Sequence, residues 1–158
     1  MGIEKKYKVA FIGAGYMTLE HIKAFKSINT VELSGIYSKT FSRAKSLAKQ
    51  FGIKEVCKSI DDLYESTNAD IVVISVPELS TKEVVFKSFD YPWYLLIEKP
   101  VGYNFEQAQE IKIYAEKRNA KAYVALNRRF YSSTIEAINL LKSDNGKRII
   151  NVQDQEDP

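Results

Sequence analysis

A chain of 158 residues and 18.1 kDa has room for one ordinary domain, or one domain and a fragment of another, but not for two complete ones. Hydrophobic residues at 45%, charged residues at 27% and only 7 glycines and 4 prolines exclude a disordered or fibrous chain, and a formal charge of +3 with scattered cations leaves no footprint for nucleic acid. A single cysteine, Cys57, and a single histidine, His21, exclude an internal disulfide and give no zinc-ligand spacing; with no apolar run near the roughly 20 residues of a membrane span and no signal-peptide core in MGIEKKYK, the expected setting is reducing and cytoplasmic, without metal or membrane.

Tyr7 to Ile12 is a short apolar run rich in β-formers that ends at Gly13, as expected of a strand buried on both faces. Met17, His21, Ala24, Phe25 and Ile28 then fall on one face of a 3.6-period helix, with Lys23 and Lys26 opposite. A strand over Val31 to Tyr37 leads to a helix with Ala44, Leu47, Ala48 and Phe51 inward and Gly52 as its C-terminal stop. After a short strand near Glu55 to Lys58, Ser59 and Asp62 have the spacing of a capping box that opens a brief helix. Asp70 to Val76 is nearly continuous in β-branched apolar residues and reads as a central parallel strand stopped by Pro77. Ser80 and Glu83 predict the opening of the next helix, to about Phe89, and Tyr94 to Ile97 the next strand. Asn104, with Gln107 three residues on, caps a helix with Ala108, Ile111 and Ala115 inward, and Ala122 to Leu126 is a further strand.

Strands alternating with helices predict βαβ units with right-handed crossovers, so residues 1–126 form an α/β, Rossmann-type doubly wound parallel sheet. Ser133 to Glu136 caps one more helix and Arg148 to Gln153 reads as one more strand. Residues 127–158 are therefore expected to be the first helix and strand of an incomplete α+β second domain. Its unfinished sheet would leave an apolar face and an open edge, which predicts a homo-oligomer.

The segment Gly13-Ala14-Gly15-Tyr16-Met17-Thr18 lies where the first strand meets the first helix, the context of a dinucleotide fingerprint. Gly13 permits the tight turn, and Gly15 lets a pyrophosphate approach the free N–H groups of the helix start. Thr18 replaces the third glycine, so the helix is expected to stand further out or to bury the Thr methyl. A plain strand-to-helix turn with glycines for geometry alone is the other reading. The second strand ends in Tyr37-Ser38-Lys39-Thr40, without the acid that would accept the ribose hydroxyls of NAD. Hydroxyls at Ser38 and Thr40 with the cations Lys39 and Arg43 suit a 2′-phosphate, which favours NADP over NAD; the alternative is a simple helix cap beside a solvated lysine. Glu98-Lys99-Pro100 stands at the C-terminal end of a strand, the edge where open parallel sheets bind ligands. From position alone, a structural Glu98–Lys99 pair and a lysine that assists proton transfer both remain open.

GAGYMTLEH at Gly13 to His21, SVPE at Ser75 to Glu78, EKP at Glu98 to Pro100 and NRRF at Asn127 to Phe130 have the order and spacing of the Gfo/Idh/MocA oxidoreductases, and the chain resembles that family over nearly its whole length. The resemblance implies that Gly13, Gly15, Tyr16 and Met17 hold the pyrophosphate, and Ser38 and Lys39 the adenosine ribose or its phosphate. It further implies that Val76, Pro77, Glu98 and Asn127 line the nicotinamide side, that Lys99 is catalytic, and that the substrate is a sugar, cyclitol or sugar derivative with a hydroxyl or ketone. The sequence departs from the family in the turn Val76 to Ser80, and the second domain that supplies the family's substrate pocket and catalytic histidine is expected to be almost wholly absent beyond the opening helix and strand of residues 127–158. His21, on an apolar helix face, reads as a satisfied core histidine. Arg128 and Arg129 read as a solvated pair, Tyr91 to Tyr94 as filler of a strand–helix junction, and Cys57 as a small buried hydrophobe. Two functions follow: a nicotinamide-dependent dehydrogenase or reductase, incomplete for catalysis at this length, and a non-catalytic dinucleotide-binding module.

Overall fold

The apolar run Tyr7–Ile12 forms β1, and its last four residues are buried. In the computed structural model, which describes residues 6–142, 146, 147, 149 and 151, β1 lies inside a six-stranded, wholly parallel sheet. The other strands are β2 (Val31–Tyr37), β3 (Glu55–Cys57), β4 (Ile71–Ile74), β5 (Tyr94–Ile97) and β6 (Lys121–Val124), and the order is β3-β2-β1-β4-β5-β6. Alternation sorts the apolar side chains to two faces. Val9, Phe11 and Val73 pack with Ile22, Ala44 and Ala48 of α1 (Tyr16–Lys26) and α2 (Phe41–Phe51). Ala10, Ile12, Val72, Ile74, Leu95 and Ile97 pack with Leu63 of α3 (Ile60–Thr67), Val84 and Val85 of α4 (Glu78–Ser88) and Ile111 of α5 (Phe105–Lys117). The doubly wound parallel sheet expected from the sequence is thus the observed one. Because the strand order runs outward in both directions from β1 and β4, the chain leaves their C-terminal ends toward opposite faces of the sheet, to α1 on one and α4 on the other, and a crevice opens there.

Several helix ends follow the sequence signals. The Ser59 hydroxyl accepts from Asp62 N at 2.9 Å and the Asp62 carboxylate accepts from Lys58 N at 2.7 Å, while Asn104 and Gln107 make the corresponding pair with Gln107 N and Tyr103 N. Gly52 stops α2 in the left-handed region at φ 74°. Others differ. Helix α4 opens at Glu78 behind Pro77, whose fixed φ suits a helix entry, so Ser80 and Glu83 lie inside the first turns instead of forming a cap. The buried face of α1 is Thr18 and Ile22, with Phe25 half-buried, whereas Ala24 and Ile28 are exposed. The helix is rotated from the expected apolar stripe because the glycine turn aims Thr18 inward, and complete burial of Ile22, worth about 1.5–3 kcal/mol, fixes that setting.

The chain parts into two units at Ala125 and Leu126. The second contains a 3₁₀ turn, Asn127–Phe130, and helix α6 (Ser132–Lys142). Ser133 is the second residue of α6 and so not its cap; Ile135 N donates to Tyr131 O at 2.9 Å, and the Thr134 hydroxyl donates to Arg128 O at 3.0 Å. The strand expected over Arg148 to Gln153 falls mostly outside the described residues. Among the described residues, no helix is long and apolar enough to cross a membrane.

Candidate functional site

At the crevice between β1 and β4 lies a cleft of about 210 Å³. One end is the glycine turn. Gly13 has φ +118°, its N–H donates to Tyr37 O at 2.8 Å, and a Cβ built on it would lie 1.9 Å from the Ser75 carbonyl oxygen. Only glycine fits there, on conformation and on space. Gly15 is different: it is the N-cap of α1 at an ordinary φ of −91°, and a Cβ on it would meet nothing within 4 Å. Among the described residues nothing demands a glycine at that point, and the space over the helix start is left open. The first turn of α1 contains no acid and Gly15 offers no side-chain cap, so its N–H groups present positive potential to an anion. Thr18 is fully buried and its hydroxyl lies 3.4 Å from the Ser75 carbonyl oxygen, to which it donates; the side chain that replaces the third glycine thus joins α1 to the end of β4.

The other end of the cleft is lined by Ser38, Lys39, Thr40 and Arg43. The Ser38 hydroxyl accepts from Thr40 N at 3.1 Å, which shapes the turn into α2; Thr40 is the N-cap, though its side chain makes no capping bond. Lys39 Nζ lies 3.8 Å from Glu83 of α4, with both side chains largely exposed. Val76 and Pro77 form the wall beyond β4, joined by Tyr37, Ser75 and Ser80, which sequence reasoning did not single out. Of the residues expected at the site, Gly13, Gly15, Ser38, Lys39, Val76 and Pro77 therefore share one cleft, and Tyr16 and Met17 adjoin it in the first turn of α1. Asn127 opens the 3₁₀ turn of the second unit.

Glu98 and Lys99 follow β5. Lys99 is exposed, its bond to Pro100 is cis, and among the described residues its ammonium makes no ion pair or hydrogen bond. Glu98 is 9% exposed: its Oε1 lies 2.8 Å from His21 Nε2, and its Oε2 accepts from Lys99 N at 3.0 Å. His21 is a satisfied histidine, as expected, but its partner is a carboxylate 77 residues away, which no local spacing signals. Cys57 ends β3 beside Tyr37 and is buried; burial first, then the nearby Asp62 and Glu55 carboxylates, push its thiol up to about 12, which removes it as a nucleophile. Trp93 is buried against Tyr64 and Tyr91, filling the junction before β5 at the opposite edge of the sheet.

A family model described as "Oxidoreductase family, NAD-binding Rossmann fold" matches residues 7–126. The chain belongs to that family, the Gfo/Idh/MocA oxidoreductases. It is 29% identical over 136 residues to glucose-6-phosphate 3-dehydrogenase of Bacillus subtilis, a match covering 86% of this chain and 37% of the relative. It is also 25% identical over 112 residues to an NADP(+)-specified scyllo-inositol 2-dehydrogenase of the same organism, covering 71% of this chain and 34% of the relative. The chain thus spans little more than a third of either relative's length. In fold it matches scyllo-inositol dehydrogenase of Lactobacillus casei with bound NAD(H) and scyllo-inositol at a TM-score of 0.79 and 22% identity, over 88% of this chain and 42% of that one.

Proposed function

We propose that the chain forms the cofactor-binding part of an NADP-preferring oxidoreductase that interconverts a hydroxyl and a ketone on a sugar, a cyclitol or a sugar derivative. The composition of the cleft carries this reading: two glycines and a helix start at one end, two hydroxyls and two cations at the other, and no carboxylate among its described lining residues. The open space over Gly15 fits a group that must come close to backbone, as a pyrophosphate does. Gly13, Gly15, Tyr16 and Met17 would hold that pyrophosphate, and Ser38 and Lys39, with Thr40 and Arg43, the ribose and its 2′-phosphate. Val76, Pro77, Glu98 and Asn127 would line the nicotinamide side. When bound, the nicotinamide supplies the hydride donor or acceptor. Lys99 Nζ would hydrogen-bond the substrate oxygen and relay its proton. The names of the two Bacillus subtilis relatives support a sugar-like substrate, and one of them supports NADP. The lone buried thiol of Cys57 suits a reducing, cytoplasmic setting, and the exposed Ile135 and Ile138 of α6 suit self-association.

Fluorescence titration with NADPH and NADH tests the cofactor half. Tighter binding of NADPH is expected, with Ser38→Asp reversing the order; equal or stronger binding of NADH by the native chain would refute the preference, and no binding of either would refute the whole reading. A sugar-alcohol panel followed at nicotinamide absorbance tests the chemistry. Turnover abolished by Lys99→Ala supports the enzyme; binding without turnover on any substrate favours a binding module.

A further inference from the structure

A carboxylate that loses water is costly unless its oxygens are satisfied, and Glu98 is satisfied by two specific donors. A carboxylate only accepts, so His21 Nε2–H donates to Oε1, and the Lys99 backbone N–H donates to Oε2. Glu98 N in turn donates to Ile74 O at 2.9 Å, so the carboxylate stands on a backbone already tied to β4. The histidine comes from α1, the helix whose start borders the cleft at Gly15. With Oε1 held by His21, the second oxygen is fixed at the one place where it can restrain the backbone of Lys99.

We infer that His21 is a positioning residue for Lys99: through the Glu98 carboxylate it fixes the Lys99 backbone and fastens the segment after β5 to the helix that opens the cleft. This rests on Lys99 being the residue that faces substrate. His21 acts through Glu98, and its role is to keep the root of Lys99 in place. A histidine that merely filled space could be satisfied by any acceptor; this one is joined to the carboxylate that restrains Lys99.

The test is nuclear magnetic resonance on the ¹⁵N-labelled native chain and two variants. In the native chain, Nε2 of His21 is expected to carry the hydrogen that bridges to Glu98, and the Lys99 amide proton to be shifted downfield and to exchange slowly, as a charge-assisted bond requires. A bare Nε2 would overturn the inference without recourse to any variant. In His21→Ala the Lys99 amide is expected to exchange about ten-fold faster or more and to lose its downfield shift, while amides of β1 and α2 stay protected. His21→Gln, which keeps an N–H donor, is expected to restore most of the protection. An unchanged Lys99 amide in His21→Ala, an acceleration spread equally over β1 and α2, or no rescue by His21→Gln would each overturn it. NADPH and NADH titration of the native chain separates this result from the cofactor reading: if neither binds while the Lys99 amide responds as stated, the cofactor reading fails and the tether stands.

Discussion

The two ends of the candidate site are built by different means. The cleft end is largely backbone: a glycine at φ +118°, an open helix start, and a turn shaped by the Ser38 hydroxyl on a neighbouring N–H. The Lys99 end is held by side chains from segments far apart in sequence, with His21 of α1 bonded to Glu98 after β5. Backbone-built geometry depends on single residues and their immediate neighbours, so it breaks at one position and is written locally. Geometry held by paired side chains depends on the whole sheet being assembled first, so it loosens gradually and is written nowhere in a short window.

The largest expected effects contrast the two glycines of the cleft end. Gly13→Ala places a Cβ 1.9 Å from the Ser75 carbonyl oxygen at a positive φ, so strain and overpacking together should cost about 3 kcal/mol or more of folding stability. Gly15→Ala adds a methyl group to open space: lost capping and reduced unfolded-state entropy nearly cancel, and stability should change by less than about 1 kcal/mol. Its effect should fall on NADPH affinity instead, by about ten-fold or more, because the methyl occupies the approach to the helix start. Urea unfolding and NADPH titration of both variants check the pair. Equal stability losses would show that Gly15 is there for the fold, and unchanged affinity in Gly15→Ala would remove the pyrophosphate from that position.

That contrast also explains what the sequence disclosed. The strand–helix alternation, the glycine turn, the Ser59 and Asn104 caps and the absence of an acid at Ser38 are all local, and the structure has each in its expected place. The setting of α1 was not legible, because Met17, Ala24 and Ile28 make a better apolar stripe than Thr18 and Ile22 until the turn at Gly13 fixes which way the helix faces. The start of α4 was hidden in the same way: Ser80 and Glu83 have capping-box spacing, but Pro77 opens the helix first. The His21–Glu98 pair and the Thr18 hydroxyl on the Ser75 carbonyl exist only once β1, β4 and β5 lie side by side.

A change of pH sharpens the comparison from the flank of the cleft end. Cys57 pairs in register with Tyr37, a lining residue, and its thiol is pushed up to about 12 by burial and by the Asp62 and Glu55 carboxylates. The folded chain therefore keeps this proton where the unfolded chain, with an ordinary thiol near 9.0, releases it. The stabilisation is complete below pH 9 and declines as pH rises toward 12, with a limiting slope of about 1.4 kcal/mol per pH unit. Unfolding at pH 8.5, 10 and 11 should show a shallower decline in Cys57→Ala than in the native chain, after each is referred to its own value at pH 8.5. Identical declines would mean that the thiol is ionised in the fold.

The smallest effect belongs to the rim of the cleft, where Lys39 and Glu83 stand 3.8 Å apart with side chains 68% and 79% exposed. A pair so open to water contributes roughly 0.2–1 kcal/mol, so Glu83→Gln should leave stability within about 0.5 kcal/mol of native. Its consequence for binding has the opposite sign. A 2′-phosphate that recruits Lys39 must take it from Glu83 and sit near that carboxylate, so removing the charge should tighten NADPH by about two- to five-fold. NADH lacks the phosphate and should bind Glu83→Gln as it binds the native chain, and 0.5 M salt should shrink the NADPH gain because a rim charge is screened. An equal gain for both cofactors would place the effect on the fold of α4 rather than on the phosphate. A loss of NADPH affinity would make Glu83 part of the binding surface and remove Lys39 from its contact with the phosphate.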